Sequence, residues 1–429
     1  MRDHKEITLH SVEGFKTQLL AWAQQFEDIV WLDSNNCQQP HTSYDSILAV
    51  DAFTGIQTDY VNGFKKLEEY QSTINDWIFG YLSYDLKNDT EPLKSQNFDG
   101  LDFPDLCFFQ PKKLFLFKNN ALTVKYLNFI SEEFNDDLKS IETFSLQNDA
   151  FPHNDIQIES RISKHQYFNK VSAMLSHIHR GDIYEANFCQ EFYAYADLNP
   201  LETYFKLNKI AQVPFATFFK NGDKFLLSSS PERYLKKVGL EITSQPIKGT
   251  TKRSHDPAED MELKTTLERD PKERSENIMI VDLVRNDLSK IAQKGTVNVT
   301  ELCKIHSFKQ VHHMISTVQA KALLTVSLVD IIAATFPMGS MTGAPKISAM
   351  KIIEALEDTK RGLYSGAVGY FTPKGDFDFN VVIRSILYNA TKSYVSFSVG
   401  SAITSKSNPE KEYEECLVKA KAMRSVLEN

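Results

Sequence analysis

Short apolar runs set between polar turns dominate the first 155 residues. Their alternation predicts strands at Ile29 to Leu32, Ser46 to Val50, Trp77 to Leu82, Lys113 to Phe117 and Leu122 to Leu127. Residues Gln147 to Asp155, rich in Asn and Asp and carrying Pro152, read as a linker. They place a boundary between a segment 1–158 and a segment 159–429. Beyond it the apolar period lengthens, and a helix is expected at Lys164 to His179. A strand Tyr184 to Tyr195 follows, then a hairpin of Phe215 to Lys220 and Lys224 to Ser228 turning on Asn221-Gly222. Helices near 257–268, 271–293, 328–336 and 345–356 alternate with strands near 297–300, 365–371, 377–388 and 394–400. A helix from Pro409 closes the chain. Strand runs mixed with helices, without a repeat, predict an α+β protein built of layered sheet and helix.

Two of the predicted helices begin alike. Asp270-Pro271 is a capping residue followed by proline at the first helical position, and Glu273 and Glu276 follow three apart on one face. Asn408-Pro409 repeats the device with Glu412 and Glu415. If the two starts converge, unlike charge must sit between the acids, because two unit charges about 4 Å apart cost roughly 4 kcal/mol even at an effective dielectric near 20. An all-oxygen donor set suits a hard divalent ion, Mg²⁺ better than Ca²⁺. Taken singly, each pair is equally a solvated face favoured by the helix dipole.

Lys248, in Gln245-Pro246-Ile247-Lys248-Gly249-Thr250, stands between a proline-stiffened apolar turn and a glycine. A nucleophilic amine there requires a pKa lowered by burial or by a nearby cation, and the plain alternative is a lysine at a strand end. Glu232, in Ser230-Pro231-Glu232-Arg233, opens the strand leading towards it. Arg384, on the apolar run Phe379 to Ile386, demands an anionic partner, either a ligand carboxylate or Asp376 or Asp378. Glycines in Pro337 to Lys346 and in Gly400-Ser401-Ala402 can bring backbone close to a ligand, although the former lacks the order of a nucleotide-binding loop. His312 and His313 lie on a strand that sends them to opposite faces, so one alone is expected in the core.

Composition narrows the function. A formal charge of -8 over 429 residues, with no basic run, argues against nucleic acid and points to a small ligand. Five scattered cysteines without a Cys-x-x-Cys pair fit a reducing cytoplasm. The first ten residues lack the apolar core of a signal peptide, and runs such as Ile331 to Phe336 are too short for a bilayer, so no membrane partner is expected.

Taken in order, Gly181 to Asn187, Ser230 to Arg233, Pro246 to Thr250, the helix from Glu276 through IVDLVRND, Gly339 to Lys346, Tyr364 to Tyr370, Arg384, and Glu412 with Glu415 resemble the signature of the chorismate-utilising enzymes. The resemblance covers nearly everything after residue 160. It implies a β/α/α/β sandwich in which two interleaved halves form one unit. It implies a catalytic set of Lys248, Glu232 and His313, and substrate contacts from Gly249, Thr250, Gly343, Tyr364, Arg384, Gly400 and Ala402. Mg²⁺ would be held by Glu276 and Glu415, with Glu273 and Glu412 behind them. Lysine at 248 is similar to the members that aminate chorismate at C4, whereas those aminating at C2 usually place alanine there. Glu185, where members that use water carry lysine, speaks against water as nucleophile, and it also departs from the glutamine common at that place. No cysteine sits in a glutaminase-type elbow, so a separate glutamine amidotransferase partner is implied as the ammonia source. Ser34, Ser43, Tyr44, Pro214 and Phe215 resemble the family's tryptophan pocket. The alternatives are an anthranilate synthase component and a silent subunit that binds chorismate or tryptophan.

Overall fold

The computed structural model describes residues 1–9, 11–37, 41–144 and 156–428. The expected linker, residues 147–155, therefore lies wholly outside the described residues. Twenty strands among them join in one hydrogen-bonded antiparallel network. Two strands longer than the sequence pattern suggested, Ser46–Thr58 and Leu106–Lys118, pair along their whole length and carry the network from one arm to the other. A register shift between Ala52 and Thr54 follows Asp51, which is left-handed at φ 61°. A bulge of this kind bends a strand, and it ends the alternation that marked Ser46 to Val50 as a short element.

One arm continues from Asp28–Asp33 through Phe215–Asn221, Lys224–Ser230, Ser385–Asn389 and Tyr394–Thr404 to Glu185–Tyr195. The other continues from Ile78–Leu82 through Ala367–Phe371, Phe377–Val381, Arg233–Val238 and Glu241–Gln245 to Val311–Lys321. Strands from the first 130 residues thus pair directly with strands from beyond residue 210 in both arms, which makes the two halves of the chain interleaved. Two apolar cores result, one holding Phe79, Phe108, Phe379 and Val368, the other Trp31, Phe188, Phe218 and Phe397.

Helix Pro271–Ser289 packs on the strand Val311–Lys321, and helix Pro409–Glu428 packs on Tyr394–Thr404, so each arm is backed by a helix. Both starts are capped as predicted. Asp270 Oδ1 accepts from the backbone N–H of Lys272 and Glu273 at 2.8 and 3.0 Å. Asn408 Oδ1 accepts from Glu410 and Lys411 at 3.0 and 3.2 Å. Such caps fix where a helix begins, and therefore where its first-turn acids point. Both histidines of the pair are buried, contrary to the expectation of one. The strand is covered on its second face too, where His312 Nε2 meets Asp260 Oδ1 at 3.0 Å and Nδ1 meets Ser307 at 2.8 Å.

Candidate functional site

Lys248, on the strand Ile247–Lys252, is mostly enclosed and points at the start of Glu185–Tyr195, where its Nζ donates to Glu185 Oε1 at 2.8 Å. Burial pulls the amine's pKa down, but Glu185, Glu276 and Glu232 outweigh it and hold the group above its ordinary value. The expectation of a lowered pKa is therefore not met in the resting site. The cause is electrostatic: one ammonium faces several carboxylates, and each favours the charged form.

The carboxylates feel the opposite pressure. Glu232 is buried just beyond the strand Lys224–Ser230, and desolvation lifts it to about 7 against the pull of Lys248. Desolvation likewise lifts Glu276 to about 8, with Glu185 adding to the rise and Lys248 and Lys272 resisting it. Glu273, half-buried, is raised by burial as well. Glu415 is held low, because Lys419 at 2.7 Å more than offsets its burial.

The acids of the two helix starts do meet, across Lys272. Its Nζ lies 3.2 Å from Glu412 and 3.7 Å from Glu276. Glu412 also accepts from the Ser401 hydroxyl. Among the described residues no three His, Cys, Asp or Glu side chains converge closely enough to hold a metal ion, so the expected cluster is not assembled. Repulsion between carboxylates keeps them apart, and an ammonium occupies the middle ground. The donor chemistry nevertheless fits a hard cation. All candidate ligands are carboxylate oxygens, and Glu276 Oε1 is buried without a hydrogen-bond partner.

Around this centre, His313 pairs its Nδ1 with Thr250 Oγ1 at 2.8 Å, and burial with Arg384 close by pushes its pKa down to about 3. The ring is therefore neutral across the working pH range. Arg384 differs from its prediction in two ways. The strand run breaks at Val381 and resumes at Ser385, and Arg384 sits in the gap at φ 53°, a left-handed conformation uncommon outside glycine. Neither aspartate considered as its partner is free: Asp378 is taken by Arg233 at 3.0 Å and Asp376 accepts from the backbone of Gly239. Among the described residues no ion pair or side-chain hydrogen bond engages the Arg384 guanidinium, and burial pulls its pKa down, with Tyr364 and Glu415 near enough to oppose this. Tyr364 is buried with its hydroxyl 3.6 Å from Cys189 Sγ.

The small residues have structural reasons of their own. A Cβ on Gly343 would stand 2.1 Å from the Glu185 carbonyl, and one on Gly400 2.6 Å from Cys189 Sγ, so both are required by strand packing before any ligand is considered. Gly249 is left-handed at φ 86°, with Glu273 and Leu267 beside it. Ala402 is buried opposite Asn187. Lys346, at the end of the glycine-bearing loop, faces Asp287 at 2.7 Å and the Thr335 carbonyl at 2.9 Å rather than an anion space.

Ser34, Ser43, Tyr44, Pro214 and Phe215 do gather, lining one cavity of about 60 Å³ with Asp33, Arg233 and Asp378. For comparison, an enclosed apolar cavity of ~150 Å³ holds benzene. Lys236, bonded to Ser43 at 2.6 Å, would have to move before an indole could enter. A larger open groove of about 600 Å³, lined by Tyr60, Glu91, Lys94, Lys351 and Glu354, holds none of the candidate residues.

A family model described as chorismate binding enzyme matches residues 27–425, nearly the whole chain. The chain belongs to that family. Over 382 residues it is 35% identical to the chloroplastic aminodeoxychorismate synthase of Arabidopsis thaliana, covering 83% of this chain and 41% of that one. Over 363 residues it is 32% identical to anthranilate synthase component 1 of Saccharolobus solfataricus, covering 84% and 83%. Anthranilate synthase component I from Streptococcus pneumoniae superposes with a TM-score of 0.80 at 26% identity, over 90% of this chain and 95% of that one. The chain spans about half the length of several curated relatives it matches, as little as 41% and as much as 62% of the first four. As a chorismate binding enzyme it has the expected α+β fold with a large antiparallel sheet.

Two members of the site escaped the sequence reading. Glu185 was assigned no role, and its pairing with Lys248 spans 63 residues of chain, beyond any local pattern. Lys272 was passed over although it lies four residues before Glu276 on the same helix face, which was the available signal.

Proposed function

We propose that this chorismate-utilising enzyme aminates chorismate at C4 to give 4-amino-4-deoxychorismate, with ammonia delivered by a separate glutamine amidotransferase. The observation that carries this reading is the largely enclosed amine of Lys248, its side chain 10% exposed, aimed into a nest of carboxylates at a place where a C2-aminating site has no use for an amine. Aminodeoxychorismate synthase among the relatives supports it, and the words "component 1" in a relative's name support a partner.

In this reading Lys248 attacks C2 of chorismate while Glu232, whose displacement to about 7 keeps a large share of it protonated at neutral pH, gives its proton to the departing C4 hydroxyl. Ammonia then adds at C4 and expels the lysine. Arg384 and Tyr364 orient the carboxylates, and neutral His313, fixed by Thr250, donates or accepts a hydrogen bond without adding charge. Gly249, Gly343, Gly400 and Ala402 shape the surrounding backbone. Glu276 and Glu415 would hold Mg²⁺ with Glu273 and Glu412 behind them, and the ion would supply positive charge for a substrate carboxylate. A tryptophan site is not carried into the proposal, because the cavity at Ser34 and Tyr44 is too small as it stands.

Product identity tests the proposal. Incubation with chorismate, Mg²⁺ and ammonium is expected to yield aminodeoxychorismate by mass spectrometry and chromatography. Fluorescent anthranilate as the direct product, or full activity after Lys248→Ala, would reject it. Chorismate binding without turnover would favour a silent subunit.

A further inference from the structure

Glu185 is the one acid of the site with no task in the scheme above, and the inference drawn from it rests on Lys248 being the nucleophile. Its side chain is 1% exposed, and Lys248 reaches it at 2.8 Å. The other carboxylate oxygen, Oε2, is buried and has no hydrogen-bond partner among the described residues. The backbone holds it firmly. Glu185 pairs with Thr404 on one side and Ala344 on the other, and Gly343 packs against it so closely that a Cβ there would come within 2.1 Å of the Glu185 carbonyl.

An attacking lysine has to be a free amine, so its resting proton needs a destination. Glu276 and Glu232 act on Lys248 through space, but neither forms a hydrogen bond or ion pair with it; Glu185 alone among the described residues does. Transfer along an existing 2.8 Å hydrogen bond needs no rearrangement. The buried, unpartnered Oε2 leaves the carboxylate under-solvated, with room to take up a proton.

We propose that Glu185 is the proton acceptor that converts Lys248 from resting ammonium to attacking amine. The Nζ–H bond breaks and Glu185 Oε1–H forms. The freed nitrogen pair makes the bond to C2, the ring π electrons shift, and the C4–O bond breaks, its oxygen leaving as water with the proton of Glu232. The nitrogen is then a secondary ammonium. Ammonia adds at C4, the electrons return, and the C2–N bond breaks to release Lys248 as a neutral amine. Glu185 returns its proton to Lys248, and the new C4 ammonium gives one to Glu232. The sum is chorismate plus ammonia giving aminodeoxychorismate plus water.

The test compares wild type, Glu185→Gln and Glu185→Asp in the ammonium-dependent reaction, with thermal melting as a check on folding. Expected for Glu185→Gln is a fall in kcat of about 100-fold or more, in the range typical of general acid–base help, with KM for chorismate within about threefold. Glu185→Asp should recover a measurable part of that loss. In parallel, acylation of Lys248 by an amine-directed reagent, followed by peptide mass spectrometry, should run faster in Glu185→Gln than in wild type at the same pH, since the ammonium has lost its partner. A kcat for Glu185→Gln within about threefold of wild type overturns the inference. So does an equal loss in both variants accompanied by a raised KM, which would mark a residue that merely shapes the pocket. If wild type itself forms no C4-aminated product, the inference falls with the reading of Lys248 on which it rests, and that outcome is told apart from failure of Glu185 alone because wild type, not only the variants, is then inactive.

Discussion

Replacing Glu232 with glutamine should stabilise this protein at alkaline pH while abolishing its chemistry. The carboxyl is almost wholly enclosed, at 4% exposure, and burial displaces it from 4.5 to about 7. A group whose folded pKa lies above its unfolded value contributes stability that is present below the unfolded value and lost as pH rises through the folded one. For Glu232 the loss runs between pH about 4.5 and 7, and the displacement corresponds to about 3 kcal/mol when each pKa unit is worth about 1.4 kcal/mol. Glutamine keeps the shape of the protonated acid and has no charge to strand. Unfolding entropy of about 2 cal/mol/K per residue gives a chain of 429 residues roughly 0.9 kcal/mol per degree. The variant should therefore melt about 3 °C higher, relative to wild type, at pH 8 than at pH 4.5, with kcat down by about 10²–10⁴ at every pH. Differential scanning calorimetry at the two pH values reads the first number and product formation the second. A melting difference that stays constant with pH, or that favours wild type more at pH 8, would refute the claim that Glu232 is held protonated by its surroundings.

Other consequences are simpler to state. Arg384→Gln removes an unpaired guanidinium; loss of a charge-assisted hydrogen bond to substrate, worth about 1.5–3 kcal/mol, should lower kcat/KM for chorismate about 10- to 100-fold with little change in melting temperature. Asp287→Ala should do the reverse. It strands Lys346, which is held at 2.7 Å, and a broken buried pair costs about 3–5 kcal/mol, so melting should fall by roughly 3–6 °C while kcat in the surviving fold is retained. Glu276→Gln should raise the Mg²⁺ concentration giving half-maximal activity at least tenfold, measured by adding Mg²⁺ back after chelation, and an unchanged value would remove Glu276 from the ligand set.

What the sequence disclosed follows from how far each feature reaches along the chain. Caps at Asp270 and Asn408 act over three residues, so both helix starts were legible, whereas whether their acids converge depends on tertiary packing, and only Glu276 and Glu412 meet, across Lys272. The Asn221-Gly222 hairpin was too. Arg384 was misread because nothing in Ile383-Arg384-Ser385 announces a left-handed residue; no glycine or proline marks the break, and the apolar run continues on either side. The bulge at Asp51 misled in the other direction, making one long strand look short. The second buried histidine was lost because periodicity reports one covered face and not two. The raised pKa of Lys248 depends on Glu185, Glu276 and Glu232, none of them its sequence neighbours.

That electrostatic balance also explains why so many acids can surround a site for a dicarboxylate. Lys248 offsets the charge of Glu185, and burial keeps Glu276 mostly and Glu232 about half protonated near neutral pH, so the resting pocket is less negative than its composition suggests. On the proposed reaction, a substrate dianion entering such a pocket would raise the pKa of Glu232 further, which strengthens it as a proton donor just when the hydroxyl must leave. The same field would hold Lys248 protonated, and under the proposed mechanism this is the reason for a dedicated acceptor at hydrogen-bond distance, with Arg384 and an ion at the helix starts to carry the substrate's charge. Remove any one of these and the remaining charges no longer cancel. The sensitivity to Glu185, Arg384 and Glu276 should therefore be non-additive: a double variant of Glu185 and Arg384 is expected to lose less activity than the product of the two single losses.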